Sequence, residues 1–299
     1  MEPEQMNEQI VGVGTAMLTP FRRDGAVDLE CLERFVEFQV TEGVNFLVPV
    51  GTTGEAPTLT EDEQCEVIQT TMRVANGRVP VVAGCSSYST LHAIERARRF
   101  KSIGVTHILT TTPYYNKPTQ EGIYRHYAAL KEDTGLQIMA YSIPGRTGVN
   151  ITPDTMERLV RDGIVFGVKE ASGNILQIQE ICQRMGSALK VLSGDDTLLL
   201  PTMAVGAVGV ISVPSNVVPR AMRAWMDTMI ERNYVKARAQ LQALRPLIEA
   251  CAVETNPIPV KGAAAILGLM DATFRLPMTP PAEKTMGLLR DALQHLKGA

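Results

Sequence analysis

The sequence offers few aromatics: 5% of its 299 residues, with a single tryptophan. Platforms that stack nucleic-acid bases need aromatic faces set among basic groups. Here 29 Lys and Arg stand against 32 Asp and Glu, a net charge of −3, with no basic run. Nucleic acid and anionic membrane surfaces are therefore not expected partners. No apolar run reaches bilayer-spanning length. The N-terminal MEPEQMNEQ is acidic and polar, unlike a signal or transit peptide, and reads as a frayed tail over 1–10. The five cysteines (Cys31, Cys65, Cys85, Cys182, Cys251) are scattered without a CxxC. That pattern suits reduced thiols in a cytoplasmic protein, not a disulfide framework or a structural zinc site. The four histidines form no HxH or HExxH pair, so no metal is expected. Neither GxGxxG after the first strand nor GxxxxGK[ST] occurs, so no dinucleotide or nucleotide cofactor is expected, and no other.

What is present is a recurrent pattern. Apolar stretches fall at Val11–Leu18, Asn45–Val50, Val79–Ala83, Thr106–Thr112, Gln137–Tyr141, Ile164–Lys169, Lys190–Leu192 and Ala207–Val213. Most are continuous rather than alternating, as in strands buried on both faces of a parallel sheet. Helix-like segments lie between most of them. Leu32, Phe35, Val36 and Val40 fall on one helical face. Thr60-Glu61-Asp62-Glu63 reads as a capping box, and Thr152-Pro153 as an N-cap followed by proline at the first helical position. Eight strand–helix units predict an α/β fold, a (β/α)8 TIM barrel over 11–230. A doubly wound open sheet is the structural alternative that periodicity leaves open. Ala221–Arg232, Val235–Ala252, Val260–Leu269 and Ala282–Leu296 read as helices, with Asn256-Pro257-Ile258-Pro259 as a rigid break. A helical C-terminal domain is expected over 231–299.

In such a barrel, chemistry gathers where the strands end. The residues at the ends of the runs are Gly51-Thr52-Thr53-Gly54-Glu55, Thr112-Pro113-Tyr114-Tyr115-Asn116, Tyr141-Ser142-Ile143-Pro144-Gly145-Arg146, Lys169 and Ser193-Gly194-Asp195-Asp196. Lys169 is the candidate nucleophile. A lysine amine is almost wholly protonated at pH 7 in water, and an apolar strand end disfavours the ammonium. The neutral amine attacks ketones to form a Schiff base. The structural alternative is a lysine reaching to water or paired with Glu170. Strand alternation weakens that pairing, since adjacent side chains point to opposite faces. Thr52 and Thr53, between two glycines, suit a turn that binds a carboxylate and relays protons, or simply a turn that caps a helix. Tyr115 and Tyr141 can donate and accept protons, or pack with a satisfied hydroxyl. Arg146 suits bidentate capture of a carboxylate, or a surface ion pair.

Taken together, GTTGE, TPYYNKPTQEG, YSIPGRTG, GVKEASGN, SGDD, GVISV and NPIPVK resemble, in order and spacing, the 4-hydroxy-tetrahydrodipicolinate synthase family. This is the dihydrodipicolinate synthase branch of the class I pyruvate aldolases. The similarity runs from about Val11 to the C-terminus. It implies a barrel with a C-terminal helical domain, a homotetramer built as a dimer of dimers, and a lyase that condenses pyruvate with L-aspartate 4-semialdehyde in lysine and diaminopimelate biosynthesis. It implies that Lys169 forms the Schiff base, that Thr53, Tyr141 and Tyr115 relay protons, and that Tyr115 reaches in from a neighbouring subunit. By the same resemblance Thr52 and Thr53 hold the pyruvate carboxylate, Arg146 recognises the semialdehyde carboxylate, and Gly194 and Ile211 line the pyruvate pocket.

The resemblance leaves two rivals. One is another Schiff-base pyruvate aldolase, such as an N-acetylneuraminate lyase or a 2-keto-3-deoxy sugar acid aldolase. Arg146 within PGRTG suits a short dicarboxylate better than a polyol. The other is an inactive ligand-binding relative, against which the complete set of Lys169, Thr53, Tyr115 and Tyr141 counts. The chain also departs from the family pattern. Ser142 stands where asparagine is usual. Ala56, Glu61, Gln64, Tyr88 and His92 stand where lysine-sensitive relatives carry Ser, His, His, Asn and Glu, and only Tyr114 matches. A bound lysine ammonium would lose its polar partners there. Feedback inhibition by L-lysine is therefore expected to be weak or absent, and inhibition at sub-millimolar L-lysine in a steady-state assay would contradict this.

Overall fold

In a computed structural model the chain folds as an α/β protein, a (β/α)8 barrel; residues 3–298 are described. The strands are β1 (Gly12–Ala16), β2 (Phe46–Val48), β3 (Ala83–Gly84), β4 (His107–Thr111), β5 (Gln137–Ser142), β6 (Gly167–Glu170), β7 (Lys190–Ser193) and β8 (Gly209–Ser212). Each overlaps one of the eight apolar runs. All are parallel, in the order β2-β1-β8-β7-β6-β5-β4-β3. Their residues are almost all buried, as strands covered on both faces require. Among the described residues no helix is long and apolar enough to cross a membrane.

The chain divides into two compact units. One joins the N-terminal segment as far as Val11 to Val81–Ile211. Within it β5, β6 and β7 run in register, with Tyr141 opposite Lys169 and Lys169 opposite Leu192. Four helices, Thr90–Ser102, Gln120–Thr134, Pro153–Arg161 and Ile175–Met185, are N-capped by Ser89, Thr119, Thr152 and Asn174. Each cap accepts a hydrogen bond from a backbone N–H that the helix itself leaves unpaired. The N-terminal segment differs from the frayed tail that its polarity suggests. Pro3–Asn7 is helical and Ile10 is fully buried. His107 Nε2 lies 2.9 Å from Asn7 Oδ1, and Lys190 Nζ donates to Glu8 Oε2 at 2.7 Å. Met1 and Glu2 of that segment lie outside the described residues.

The other unit joins Gly12–Pro80 to the chain from Ser212 onward. β1 and β2 pair with Gly14 opposite Phe46, and Gly14 is obligatory there: an added Cβ would fall 2.1 Å from the Phe46 ring. Leu47 N–H donates to Pro80 O at 2.9 Å beyond the edge of β2. Asn216 stitches this unit's interior. It donates to Ala16 O at 2.7 Å, accepts from Leu18 N–H at 3.0 Å, and its carbonyl accepts from Gln39 Nε2 at 3.0 Å. The C-terminal helices are Pro219–Ile230, Tyr234–Ala250, Ile258–Ile266 and Glu283–Gly298. The Asn256–Pro259 break becomes the start of the third, where prolines are tolerated because the first N–H groups have no helical partner.

Helix Glu61–Ala75 opens with the capping box: Glu63 N–H donates to Thr60 Oγ1 at 3.2 Å, and Thr60 N–H donates to Glu63 Oε2 at 2.8 Å. Glu63 also takes a bidentate pair from Arg275 at 2.7 and 2.5 Å. That guanidinium is the main reason its carboxyl is held down at about 2. The folded pKa lies below the ordinary glutamate value, so the stabilisation is complete above the ordinary value and is lost as pH falls through the folded one. Glu63→Gln is expected to lower stability by roughly 2 kcal/mol at neutral pH. The gap from wild type should close between about pH 4.5 and 2. Urea unfolding at a series of pH values measures this, and a gap that does not narrow in acid would contradict it.

Candidate active site

Within the unit that contains Val81–Ile211, β6 presents Lys169 on one face and its neighbours Val168 and Glu170 on the other. Lys169 is 6% exposed, and its Nζ lies 4.3 Å from the centroid of the Tyr141 ring on β5. The parallel register that sets Tyr141 opposite Lys169 makes this contact. A cation or polarised N–H over an aromatic face is favourable, and more so when water is excluded. Gly194 comes directly after β7 and completes the setting from the other side. An added Cβ there would lie 3.1 Å from both Cγ and Cε of Lys169 and 2.7 Å from the Ala171 Cβ. A side chain there would force Ala171 to shift and crowd the lysine chain. Ile211 on β8 is fully buried.

Glu170 does not pair with Lys169. It is 1% exposed, accepts from Ser172 N–H at 2.6 Å and from Gln177 Nε2 at 3.1 Å, and burial pushes its carboxyl up. Gln177 in turn exchanges bonds with the Asn150 amide at 2.6 and 3.2 Å, and Ser142 Oγ lies 3.0 Å from Asn150 Oδ1. Ser142 Oγ also accepts from Ile151 N–H at 3.2 Å. A polar chain, Ser142–Asn150–Gln177–Glu170, thus adjoins the strand ends that carry Tyr141 and Lys169. Asn150 and Gln177 escape a reading of the sequence, because the strand ends mark only the residues next to a run. The Asn174 cap, which starts the helix that carries Gln177, is the available signal.

Arg146 sits exposed on the short helix Pro144–Thr147, which ends at Gly148 with φ 75°, a left-handed conformation suited to glycine. Tyr115 stands on the loop after β4 with φ 71° and is 92% exposed. It therefore lies outside the packed group around Lys169. Its neighbour Tyr114 is half-buried against Tyr88, ring centroids 5.8 Å apart, and burial pushes its phenol up.

Thr52 and Thr53 belong to the other unit, in the turn after β2. The run there ends early as a strand because Val50 takes φ 58°, and Glu55 takes φ 53°. Left-handed conformations cost non-glycine residues on the order of 1–3 kcal/mol each. The turn is internally bonded, with Gly54 N–H to Gly51 O and Glu55 N–H to Thr52 O, both at 3.1 Å. Thr19 Oγ1 donates to Gly54 O at 2.7 Å. Thr53 is 3% exposed and its Oγ1 accepts from Asn256 Nδ2 at 2.9 Å. Among the described residues no group of three or more His, Cys, Asp or Glu side chains is arranged to hold a metal ion.

Comparison with known proteins places these residues in context. Residues 9–296 match the dihydrodipicolinate synthetase family. The chain is 45% identical over 286 residues to the 4-hydroxy-tetrahydrodipicolinate synthase of Nitratidesulfovibrio vulgaris, covering 95% of this chain and 98% of that protein. It is 44% identical over 270 residues to the synthase of Koribacter versatilis, covering 90% of each. The crystal structure of dihydrodipicolinate synthase from Thermotoga maritima superposes with a TM-score of 0.94 at 42% identity, covering 97% of this chain and 99% of that one.

The packing around Gly194 makes a direct prediction. Gly194→Ala should displace the Lys169 side chain and cut reductive trapping of an α-keto acid on that amine by ~10-fold or more, since misplacement of a reacting group by ~1 Å can cost as much as 100-fold. Mass spectrometry of the trapped protein reads the yield, and wild-type trapping in the variant would refute the crowding argument.

Proposed function

The chain belongs to the dihydrodipicolinate synthetase family, and on that premise we propose that it condenses pyruvate with L-aspartate 4-semialdehyde to give 4-hydroxy-tetrahydrodipicolinate, in lysine and diaminopimelate biosynthesis. The observation that carries the reading is Lys169, 6% exposed at the end of β6 with Nζ 4.3 Å from the Tyr141 ring centroid. The neutral amine adds to the pyruvate ketone carbon, and loss of water leaves an iminium. The iminium makes the former methyl protons acidic, and removal of one gives an enamine. The enamine carbon attacks the aldehyde carbon, whose oxygen takes up a proton. The amino group of the semialdehyde then displaces Lys169 from the iminium carbon, which closes the ring and frees the enzyme.

Each of these steps moves a proton, and general acid–base groups contribute roughly 10²–10⁴-fold. Thr53, Tyr141 and Tyr115 fill that role, because a hydroxyl both gives and takes protons. Thr52 and Thr53 hold the pyruvate carboxylate, Arg146 takes the semialdehyde carboxylate, and Gly194 and Ile211 line the pyruvate pocket. The 92% exposure of Tyr115 suits a residue that completes a neighbouring subunit. We infer a homotetramer, a dimer of dimers, from the resemblance to the family, and a cytoplasmic location from the composition.

Incubation with pyruvate and borohydride tests the nucleophile. Wild type should gain one reduced pyruvyl adduct, mapped to Lys169, and Lys169→Ala should gain none. An unmodified wild type, or an adduct that persists in Lys169→Ala, would overturn the assignment. A coupled assay offering aspartate semialdehyde and, separately, sialic acid then separates the synthase from its aldolase relatives.

A further inference from the structure

The Gly51–Glu55 turn is held by partners some two hundred positions further along the chain. Asn256 Nδ2 donates to Thr53 Oγ1 at 2.9 Å, and Lys261 Nζ donates to Glu55 Oε1 at 2.7 Å. The Lys261 and Glu55 side chains are 0% and 1% exposed. The Lys261 ammonium also lies 4.1 Å from the Phe21 ring centroid and 5.0 Å from that of Phe274. The second Glu55 oxygen accepts from Arg275 N–H at 3.3 Å. Asn256 and Lys261 flank the start of the helix Ile258–Ile266. One rigid element therefore grips the turn at two points, Thr53 and Glu55. A turn preceded by Val50 and ended by Glu55, both in the left-handed region, needs such a grip to keep its shape.

The chemistry of the first contact is specific. A threonine hydroxyl carries one proton and two acceptor lone pairs. Asn256 supplies an N–H, so at this contact Thr53 accepts, and its own proton is not spent on the amide. An acceptor in place of that amide would draw the proton back.

We propose that Asn256 is a positioning residue for the reaction, which sets the hydrogen-bond direction of Thr53 so that its proton is available to the relay. The Lys261–Glu55 pair fixes the end of the turn two residues beyond Thr53. The inference rests on the reading of Thr53 as a relay group. In each exchange Thr53 passes its proton on and takes up another, while the Asn256 amide holds the oxygen and keeps its own protons.

The test compares Asn256→Ala and Asn256→Asp in the full-length enzyme, each also in a Thr53→Val background, by kcat, KM for both substrates and melting temperature. Asn256→Ala should lower kcat ~10-fold, and Asn256→Asp, whose carboxylate only accepts, ~100-fold. KM for aspartate semialdehyde should stay within about threefold, because substrate binding is not what the amide controls. In Thr53→Val neither substitution should cost anything further, the non-additivity of residues that act as a unit. Lys261→Met should lower kcat in the same direction, with Lys261→Arg recovering part of the loss. Wild-type kcat in both Asn256 variants would overturn the proposal. So would equal losses in Ala and Asp, losses that add to that of Thr53→Val, or losses that vanish on correction for the folded fraction. A wild-type enzyme that forms no borohydride-trapped pyruvate adduct would instead overturn the proposed function.

Discussion

The parallel hydrogen-bond ladder is the constraint on which the site depends. Parallel strands cannot be joined by tight hairpins, so each needs a crossover to reach the next; in the barrel those helices cover the outer face and strand side chains fill the inner one. Within the unit that holds β5, β6 and β7 the strands thus end at the same edge, and the residues beyond their apolar runs are delivered there. Register does the rest. With Tyr141 opposite Lys169 and Lys169 opposite Leu192, a phenol ring and an amine share one face by default, without any dedicated contact to bring them together. A slip of one residue would turn Lys169 to the opposite face and leave Glu170 in its place.

Burial then assigns different work to the two charged residues of β6. Lys169 lies over the face of Tyr141, whereas Glu170 accepts one bond on each oxygen, from Ser172 and Gln177. In the turn after β2 the division repeats: Thr53 carries a hydroxyl, and Glu55, two residues on, is tied to Lys261. Breaking a buried, well-bonded ion pair from one side leaves an uncompensated charge, typically at about 3–5 kcal/mol. Such a pair therefore acts as a fixed point for the residues beside it, more than as a source of net stability.

Much of this is legible from residues alone. Continuous apolar runs locate all eight strands, because burial on both faces removes the polar alternation that would blur them. Thr60–Glu63 and Thr152–Pro153 announce helix starts, since caps are local chemistry. The candidate residues at strand ends stand out for the same reason. What escapes is long-range. Nothing around Asn256 shows that its amide meets Thr53, 203 positions earlier, nor that Lys261 is buried against Glu55. Periodicity describes one element at a time and is silent on which loop meets which helix. The docked Pro3–Asn7 helix is missed because a polar segment that borrows its partners, His107 and Lys190, from elsewhere looks the same as one that has none.

The Ser142–Asn150–Gln177–Glu170 chain has an evolutionary corollary. Its donors and acceptors already match one another, so a change at 142 disturbs the bonds of Asn150 as well. Asparagine there would bring an additional donor pair into a space that Asn150 already serves. Its acceptance would depend on what occupies 150. Substitutions among these four residues are therefore expected to be non-additive, because members of one hydrogen-bond network couple to one another.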